Sequence, residues 1–232
     1  MKIENLVPMP FDEAVEAFQG LVPMTPYEFG LLEKEVKARA FTVSRISKMD
    51  IINDVYNALQ DAINEGTPIR EFQSQVEDIF TKKGWQDAES RSPYRIQNIY
   101  RTNIQKVFNA GRYKQQMDPD VLKNRPYWQY DAVNDSRTRP NHLAMDGIVK
   151  RYDDPFWETH YPPNGFQCRC SVRSRSARDL KRLNLEVSDY KPVINPDKGW
   201  DINPAKKLWE PDLDKYPDWL KEKYTRERGD NN

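Results

Sequence analysis

The sequence predicts an α+β protein in which an N-terminal helical bundle is followed by a small β-containing module and an extended C-terminal arm. Three observations support this fold class. Apolar residues recur at helical spacing through the first half, aromatic and β-branched runs follow residue 125, and the remainder is rich in proline and tryptophan without periodicity. We therefore expect a helical region at 1–125, the module at 126–183, and the arm with its tail at 184–232.

Four helices with short connections are expected in the first half, enough for a compact bundle. Residues 25–28, TPYE, have the form of a capping box with proline at the first helical position, and this helix should continue through residues 26–45. A second helix is expected over 47–66, where apolar residues keep helical spacing until a glycine ends it. Two more helices begin at a proline, at 67–68 and at 92–93, and the last is the longest.

The module contains three segments that we interpret as strands, at 127–133, 148–152 and 168–174. Between the first two, the segment NDSRTRPNH has turn chemistry and leads into a short helix that a proline starts. After the third, Ser176 is a cap for a further helix. Short strands and short helices therefore alternate in this part of the chain.

The arm contains many prolines and three widely spaced tryptophans, Trp200, Trp209 and Trp219, but no regular hydrophobic period. Large aromatic side chains supply much apolar surface, so we expect the arm to pack through these tryptophans. The charged end of the chain is expected to be a disordered tail.

The composition excludes several classes of protein. Lys and Arg number 36, as do Asp and Glu, so the chain has no overall bias toward nucleic acid or membrane. No apolar run approaches the ~20 residues of a membrane helix, and the N-terminus lacks the apolar segment of a signal peptide. Two cysteines separated by one residue cannot build a disulfide framework, so we expect a protein of the reducing cytosol without a membrane partner.

The balanced net charge hides two basic stretches, at 91–125 and 169–182. Local basic patches can bind a polyanion such as DNA even when the whole chain is neutral. The alternative interpretation is that these residues form solvated helix faces. The candidate DNA-binding residues are Arg91, Arg95, Arg101, Lys106, Arg112, Lys114, Arg173, Arg175, Arg178, Lys181 and Arg182.

Every histidine and cysteine of the chain lies between residues 142 and 170. Cys168 and Cys170 point to the same side if they lie on a strand, and a turn at PPNG can fold His160 back toward them. With His142 they form a Cys2His2 set, the ligand chemistry of tetrahedral zinc. Because C-x-C is a less common spacing in zinc sites than C-x(2–4)-C, an alternative stays open in which the cysteines are small buried residues and His160 binds a backbone carbonyl.

Two enzymatic interpretations use the same region. Either thiol has a histidine available as a base, but nothing in the sequence indicates an activated thiolate. A metal-dependent nuclease or related effector would use the His142/His160/Cys168/Cys170 region together with Asp135 and Asp146. Neither a metalloprotease motif nor a phosphate-binding glycine loop is present, so we do not expect an enzyme.

Several polar residues have a structural interpretation. Asp135 and Arg137 are expected to close an Asx-type turn and to form an ion pair that holds the loop. Thr102 and Asn103 are unfavourable in the middle of a helix, so we expect each side chain to have a hydrogen-bond partner, for which the β module is one candidate. Trp128 is expected in the core.

Three segments in this order carry a resemblance to a known family: YRTNIQKVFNAGRYKQQ (100–116), RPYWQYDAVNDSRTRPNHLAMDGIV (125–149) and DDPFWETHYPPNGFQCRC (153–170). They resemble the head-morphogenesis domain of tailed bacteriophages, the minor head protein family that includes proteins similar to the F protein of phage Mu. RAFTVSR (39–45), AINEGTPIREFQ (62–73) and GWDINPA (199–205) extend the resemblance over most of residues 10–205.

The resemblance implies an assembly role rather than a reaction. Proteins of this family are present in a few copies per virion, enter the procapsid near the portal, and support head assembly or genome packaging and delivery. The implied partners are the portal protein and capsid or scaffold proteins, with DNA as a further partner through the two basic stretches. The implied location is the virion, in the capsid interior or at the portal vertex, after assembly in the host cytoplasm.

The resemblance also identifies motif positions in this chain. Outside the zinc candidates His142, Cys168 and Cys170, these are Thr102, Asn103, Gly111, Arg112, Trp128, Asp135, Arg137, Gly147, Pro162, Pro163 and Arg169. Many relatives carry a cysteine where this chain has Arg139 and another where it has His142. The first departure removes a potential metal ligand, whereas the second keeps one.

Overall fold

The computed structural model describes residues 11–89, 91–189 and 195–222. The helices are α1 (Asp12–Gln19), α2 (Pro26–Leu31), α3 (Met49–Glu65), α4 (Ile69–Lys82), α5 (Pro93–Gln116), α6 (Pro119–Asn124), α7 (Pro140–Leu143), α8 (Phe156–His160), α9 (Ala177–Leu183) and α10 (Pro204–Trp209). The strands are β1 (Val22–Pro23), β2 (Ala40–Phe41), β3 (Tyr127–Asp131), β4 (Val149–Arg151) and β5 (Ser171–Arg175), and 3-10 turns lie at Val36–Arg39 and Leu213–Lys215. The predicted α+β class, a helical part followed by a small sheet module, is confirmed.

The long helix α5 is the centre of the fold, with α1, α3, α4 and α10 packed against it. Its buried residues include Ile96, Val107 and Tyr113, and the same apolar core continues into the module through Trp128 and Tyr161. Burial of such large side chains stabilises the contact between helices and sheet by removing apolar surface from water. The helical part and the module therefore share one core.

The predicted helix over 26–45 is wrong beyond its first two turns. The capping box is present, since the Thr25 backbone N–H donates to Glu28 Oε2 at 2.8 Å, but α2 ends at Leu31. The chain then passes through a 3-10 turn into β2, which pairs in parallel with β1 through Val22↔Ala40 and Pro23↔Phe41. Phe41 and Val43 are buried in this extended conformation, so tertiary packing of β-formers overrides the helical propensity of the preceding residues.

The module is built on a three-stranded antiparallel sheet with the strand order β4-β3-β5. Trp128 and Tyr130 alternate with less buried neighbours along β3, so one face of this strand is buried. The three strands are at the predicted places with somewhat shorter bounds. The helices that Pro140 and Ser176 were expected to start are α7 and α9, and Ser176 with Asp179 forms a capping box.

Residues 195–222 of the arm return to the helical part and include the helix α10, which the sequence pattern did not indicate. Arg39 Nη1 donates to the Leu208 carbonyl at 2.6 Å, and Trp209 Nε1 donates to the Ala110 carbonyl at 2.7 Å. Trp200 meets the Phe166 ring edge-on at 5.1 Å, whereas Trp219 is 41% exposed. Two of the three tryptophans therefore pack as expected, and the predicted disordered tail lies largely outside the described residues.

No helix in the described part of the chain combines the length and the apolar character needed to cross a membrane.

Candidate functional site

His142, Cys168 and Cys170 form a buried cluster between α7 and the segment that leads into β5. The three residues are 2%, 4% and 2% exposed, and their possible ligand atoms all lie within 4.8 Å of one another. The His142 Nδ1 atom is 3.6 Å from the Sγ atom of each cysteine. The sequence-based grouping of these three residues therefore matches the structure.

Hydrogen bonds from the long helix hold the backbone at Cys170, and a turn holds the backbone at Cys168. The Cys170 carbonyl accepts hydrogen bonds from Gln105 Nε2 at 2.8 Å and from Asn109 Nδ2 at 3.2 Å. The Cys168 N–H donates to the Gly165 carbonyl at 3.2 Å, within the turn that follows the two prolines. These hydrogen bonds tie the Cys170 backbone to α5 and the Cys168 backbone to the preceding turn.

Asp197 lies behind the His142 ring. The His142 Nε2 atom is buried without a hydrogen-bond partner, and Asp197 Oδ1 is 3.8 Å away. The Asp197 carboxylate is itself held by Arg139 Nη1 at 3.4 Å and by Asn141 Nδ2 at 3.2 Å. The imidazole therefore has thiols on one side and a carboxylate on the other.

The two thiols affect each other's ionisation. The hydrogen bond from Cys170 lowers the pKa of Cys168 to about 7, in spite of burial. The same contact, together with burial, raises the pKa of Cys170. The contact between the two thiols therefore moves their pKa values apart, lowering that of Cys168 and raising that of Cys170.

His160, the fourth predicted zinc ligand, is not part of this cluster. Its Nδ1 atom is 2.7 Å from Thr159 Oγ1 and 3.3 Å from the Phe156 carbonyl, and its ring stacks on Phe156 at 4.5 Å. Because α8 fixes the ring on its own preceding turn, the PPNG segment does not bring it beside the cysteines. This geometry agrees with the alternative in which His160 binds a backbone carbonyl.

The carboxylates that a nuclease interpretation needs have other partners. Asp135 accepts hydrogen bonds from Arg169 at 2.7 and 2.6 Å and from the Arg137 backbone N–H at 3.0 Å. Asp146 accepts from the Ala132 N–H at 2.8 Å and from Asn134 Nδ2 at 2.9 Å. Among the described residues, neither joins a group of three or more possible metal ligands. The expected Asx-type turn at Asp135 is present, and the Arg169 partner was not foreseen.

The middle of α5 makes the expected contacts only in part. Thr102 Oγ1 accepts from the Gln167 backbone N–H at 3.2 Å, so Thr102 does reach the module. Asn103 Nδ2 donates to the Ile99 carbonyl at 2.8 Å, so its partner lies within its own helix and not in the module. The stronger bridges were missed: Gln105, Asn109 and Gln116 donate amide hydrogens to carbonyls near β5. Polar residues at a four- to seven-residue spacing on one face of α5 were the available signal.

Most of the remaining motif residues lie in the packed interior or at tight positions of the backbone. Gly111 lies where α1 crosses α5, and a Cβ there would be 2.8 Å from the Ala14 nitrogen. Gly147 has φ +78°, and Pro162 and Pro163 are buried and joined by a cis peptide bond. Trp128 is 1% exposed in the core, whereas Arg112 is exposed.

Four of the basic candidates line one of two concave surfaces. The first, which we call the basic groove, has a volume of about 710 Å³. It runs along the first half of α5, the segment from α2 to residue 44, and residues 198–204. Five cationic side chains line it, and no carboxylate does. They are Lys34, Lys37, Arg95, Lys106 and Lys198.

The second surface is an open cleft of about 530 Å³ where the two basic stretches meet. Arg112 and Arg125 line it from the first stretch and Arg173 from the second. Arg125 and Arg173 pair with carboxylates at 2.9 Å, so much of their charge is compensated locally. Of the other candidates, Lys114 and Arg182 also have carboxylate partners, Arg91 and Arg175 bind neutral groups, and Arg101, Arg178 and Lys181 line neither surface.

Comparison with known proteins identifies relatives for the middle of the chain. The family model described as "Phage Mu protein F like protein" matches residues 53–173. The chain is 41% identical over 167 residues to the "Putative capsid assembly protein F" of Escherichia phage Mu, an alignment that covers 66% of this chain and 38% of that protein. It is 39% identical over 160 residues to the "Mu-like prophage FluMu F protein" of Haemophilus influenzae, covering 65% and 38%. The chain thus spans less than two fifths of the length of these relatives, and no solved structure matches it.

Proposed function

Because the chain belongs to the Phage Mu protein F like family, we propose that it is a minor component of the phage head that acts during capsid assembly by binding other head proteins. The observation that carries this proposal is the similarity, over 66% of the chain, to a relative named as a capsid assembly protein. In this proposal the chain enters the assembling head near the portal, in keeping with the resemblance of its motifs. Its partners are the portal protein and the capsid or scaffold proteins.

The basic groove is the surface that we assign to this binding. Its cations stand beside exposed aromatic residues, with Tyr94 69% and Phe166 62% exposed. A surface with this mixture fits an acidic segment that carries an apolar or aromatic anchor. We therefore take an acidic segment of another head protein as the occupant.

Lys106 supports an anionic occupant. Burial and the charge of Arg39 lower the pKa of Lys106 to about 7, and no carboxylate pairs with it among the described residues. A carboxylate that approached Lys106 would stabilise the protonated amine and would be bound by it.

Co-purification tests the proposal. The chain is co-expressed with the portal, scaffold and coat proteins of the same phage, and complexes are isolated through a tag on the chain. We expect the wild type and a Lys82→Glu/Lys123→Glu control, whose lysines are exposed and outside the groove, to retain a head protein. A Lys37→Glu/Lys198→Glu variant should lose it, because two groove cations become acids.

The results separate the two parts of the proposal. If no head protein binds the wild type, the assembly role is contradicted. If the head protein binds both variants equally, the role stands and the groove assignment is wrong.

We also propose that the chain contacts DNA at the second cleft, because residues of both basic stretches meet there. Retardation of DNA that weakens steeply with salt, and that weakens further in Arg112→Gln, supports it. Cutting of plasmid with a divalent metal, lost in His142→Ala/His160→Ala, would instead support the nuclease alternative.

A further inference from the structure

We propose that His142, Cys168 and Cys170 form a zinc site, with the His142 Nδ1 atom and both cysteine Sγ atoms as ligands. All three donors are buried, and they are the soft and borderline ligands that zinc prefers over hard cations. His160 is outside the ligand set. The site is independent of the assembly role and of the basic groove.

The spacing of the donors fits a shared metal ion. In a tetrahedral site with Zn–S bonds of about 2.3 Å and Zn–N bonds of about 2.0–2.1 Å, nitrogen and sulfur lie about 3.5–3.6 Å apart. Both N···S distances here are 3.6 Å. The donors need no rearrangement to meet this requirement.

Both thiols cannot donate good hydrogen bonds to the imidazole at once. A neutral imidazole has one unprotonated nitrogen, which accepts one S–H hydrogen bond well, yet two thiols approach the same Nδ1 atom. A metal ion uses that single lone pair and both sulfurs at once. The two contacts at equal distance therefore fit zinc better than a pair of thiol hydrogen bonds.

The surroundings of the imidazole also match a metal ligand. Metal-bound histidines usually direct their second ring nitrogen at a carboxylate or carbonyl, which fixes the tautomer and raises the basicity of the ligand. The His142 Nε2 atom faces Asp197 Oδ1 at 3.8 Å and has no hydrogen-bond partner. Arg139 and Asn141 hold that carboxylate in place.

Zinc binding at this site would join three parts of the chain. Each thiol that binds loses its proton to solvent as a Zn–S bond forms, so binding releases protons. The ion then links α7 to the segment before β5, and through Asp197 it orients the part of the arm that precedes α10. The protein provides three ligands, and the fourth position is left to water or another small ligand.

Metal analysis of reduced protein tests the proposal. Protein purified without chelator is expected to contain about one zinc per chain, and Cys168→Ser, Cys170→Ser and His142→Asn should each lose most of it. His160→Asn is the matched control and should keep it, since that ring lies outside the cluster. Asp197→Asn should bind one equivalent with an affinity about 10–100-fold lower.

A second measurement does not depend on the folding of any variant. Titration of the reduced, metal-free wild type with Co²⁺ should saturate at one equivalent and give thiolate-to-cobalt charge-transfer bands with tetrahedral ligand-field bands. Absence of these bands overturns the proposal, and so does equal zinc retention in a Cys168→Ser/Cys170→Ser variant, which would identify adventitious metal. Loss of zinc from His160→Asn in folded protein would contradict the ligand set.

Discussion

Arg169 binds Asp135 through two parallel hydrogen bonds, from Nη1 to Oδ2 at 2.7 Å and from Nη2 to Oδ1 at 2.6 Å. Arg169 lies between the two cysteines, and Asp135 lies in the turn before α7, so this pair spans the loop beside the His–Cys cluster. A bidentate arginine–carboxylate pair fixes orientation as well as distance. The pair thus positions the loop while the cysteine side chains on either side of Arg169 meet His142.

The Asp135–Arg169 pair should make stability depend on acidity. The hydrogen bonds from Arg169 hold the pKa of Asp135 well below its ordinary value of 3.8. A carboxyl with a depressed folded-state pKa contributes stability that is present above its unfolded pKa and is lost as the pH falls toward its folded pKa. The unfolding free energy of the wild type should therefore fall as the pH is lowered from 5 to 2. In Arg169→Gln it should fall less over the same range.

Urea denaturation of wild type and Arg169→Gln across that pH range measures this contribution. The expected outcome is a shallower pH dependence for the variant. Parallel curves would show that Asp135 does not depend on Arg169 for its low pKa.

The Gln116 amide should be a major link between α5 and the sheet. Gln116 is 4% exposed; its Nε2 donates to the Val172 carbonyl at 2.9 Å, and its Oε1 accepts from the Tyr161 hydroxyl at 2.9 Å. Gln116→Leu removes the donor to the Val172 carbonyl and leaves the Tyr161 hydroxyl only its longer contact of 3.4 Å with the Asn109 carbonyl, so we expect a loss of about 2–3 kcal/mol in unfolding free energy. Gln115→Leu, at an exposed neighbour, is the control and should change stability by about 0.5 kcal/mol or less. Chemical denaturation distinguishes the two, and equal effects would contradict the bridging role.

Gly111 should be required for the close contact between α1 and α5. A Cβ at this position would be 2.8 Å from the Ala14 nitrogen and 3.0 Å from the Glu13 carbonyl carbon, which are backbone atoms that cannot turn aside. Gly111→Ala should therefore destabilise the protein by about 1–3 kcal/mol, although alanine favours helix. Gly30→Ala in α2, where nothing lies within 4 Å, should instead stabilise it by up to about 1 kcal/mol. A thermal-melt shift of the same sign in both variants would contradict this account.

The Trp209 indole should anchor α10 on α5. Its Nε1 donates to the Ala110 carbonyl at 2.7 Å, and the Lys114 ammonium lies 4.5 Å from the ring centre. Trp209→Phe keeps most of the apolar contact but leaves the hydrogen bond unmade, so we expect a loss of about 1–3 kcal/mol. Hydrogen exchange should show faster exchange in α10, with Trp219→Phe, at an exposed position, as the unaffected control. Unchanged protection of α10 would exclude an anchoring role.

Local signals in the sequence predicted much of the fold. Start and stop signals at Ser92-Pro93 and at Ser176 correspond to real helix boundaries, because caps and prolines act within one turn of the chain. The helix expected over 26–45 failed because the pairing of β1 with β2 joins residues that are far apart in sequence. Helix α1 was missed although its acidic first turn and its buried Ala14, Ala17 and Phe18 carry a helical pattern.

The sequence predicted the site residues that neighbour one another because of local spacing. Cys168 and Cys170 lie just before β5 rather than on it, yet both thiols meet His142 of the helix that Pro140 starts. His160 was misplaced because its direction depends on α8 and on stacking with Phe156, which no short motif encodes. The position of Asp197 could not be predicted either, because Asp197 lies behind the imidazole only when the arm returns to this part of the fold.

The most direct test of the assembly role is the content of the heads themselves. Heads are produced by expressing the chain with the head proteins of the same phage. The heads are purified, and the chain is quantified in them by mass spectrometry. The account predicts a few copies per head for the wild type and for Lys82→Glu/Lys123→Glu, and few or none for Lys37→Glu/Lys198→Glu. Heads that form normally and contain none of the wild-type chain would contradict it.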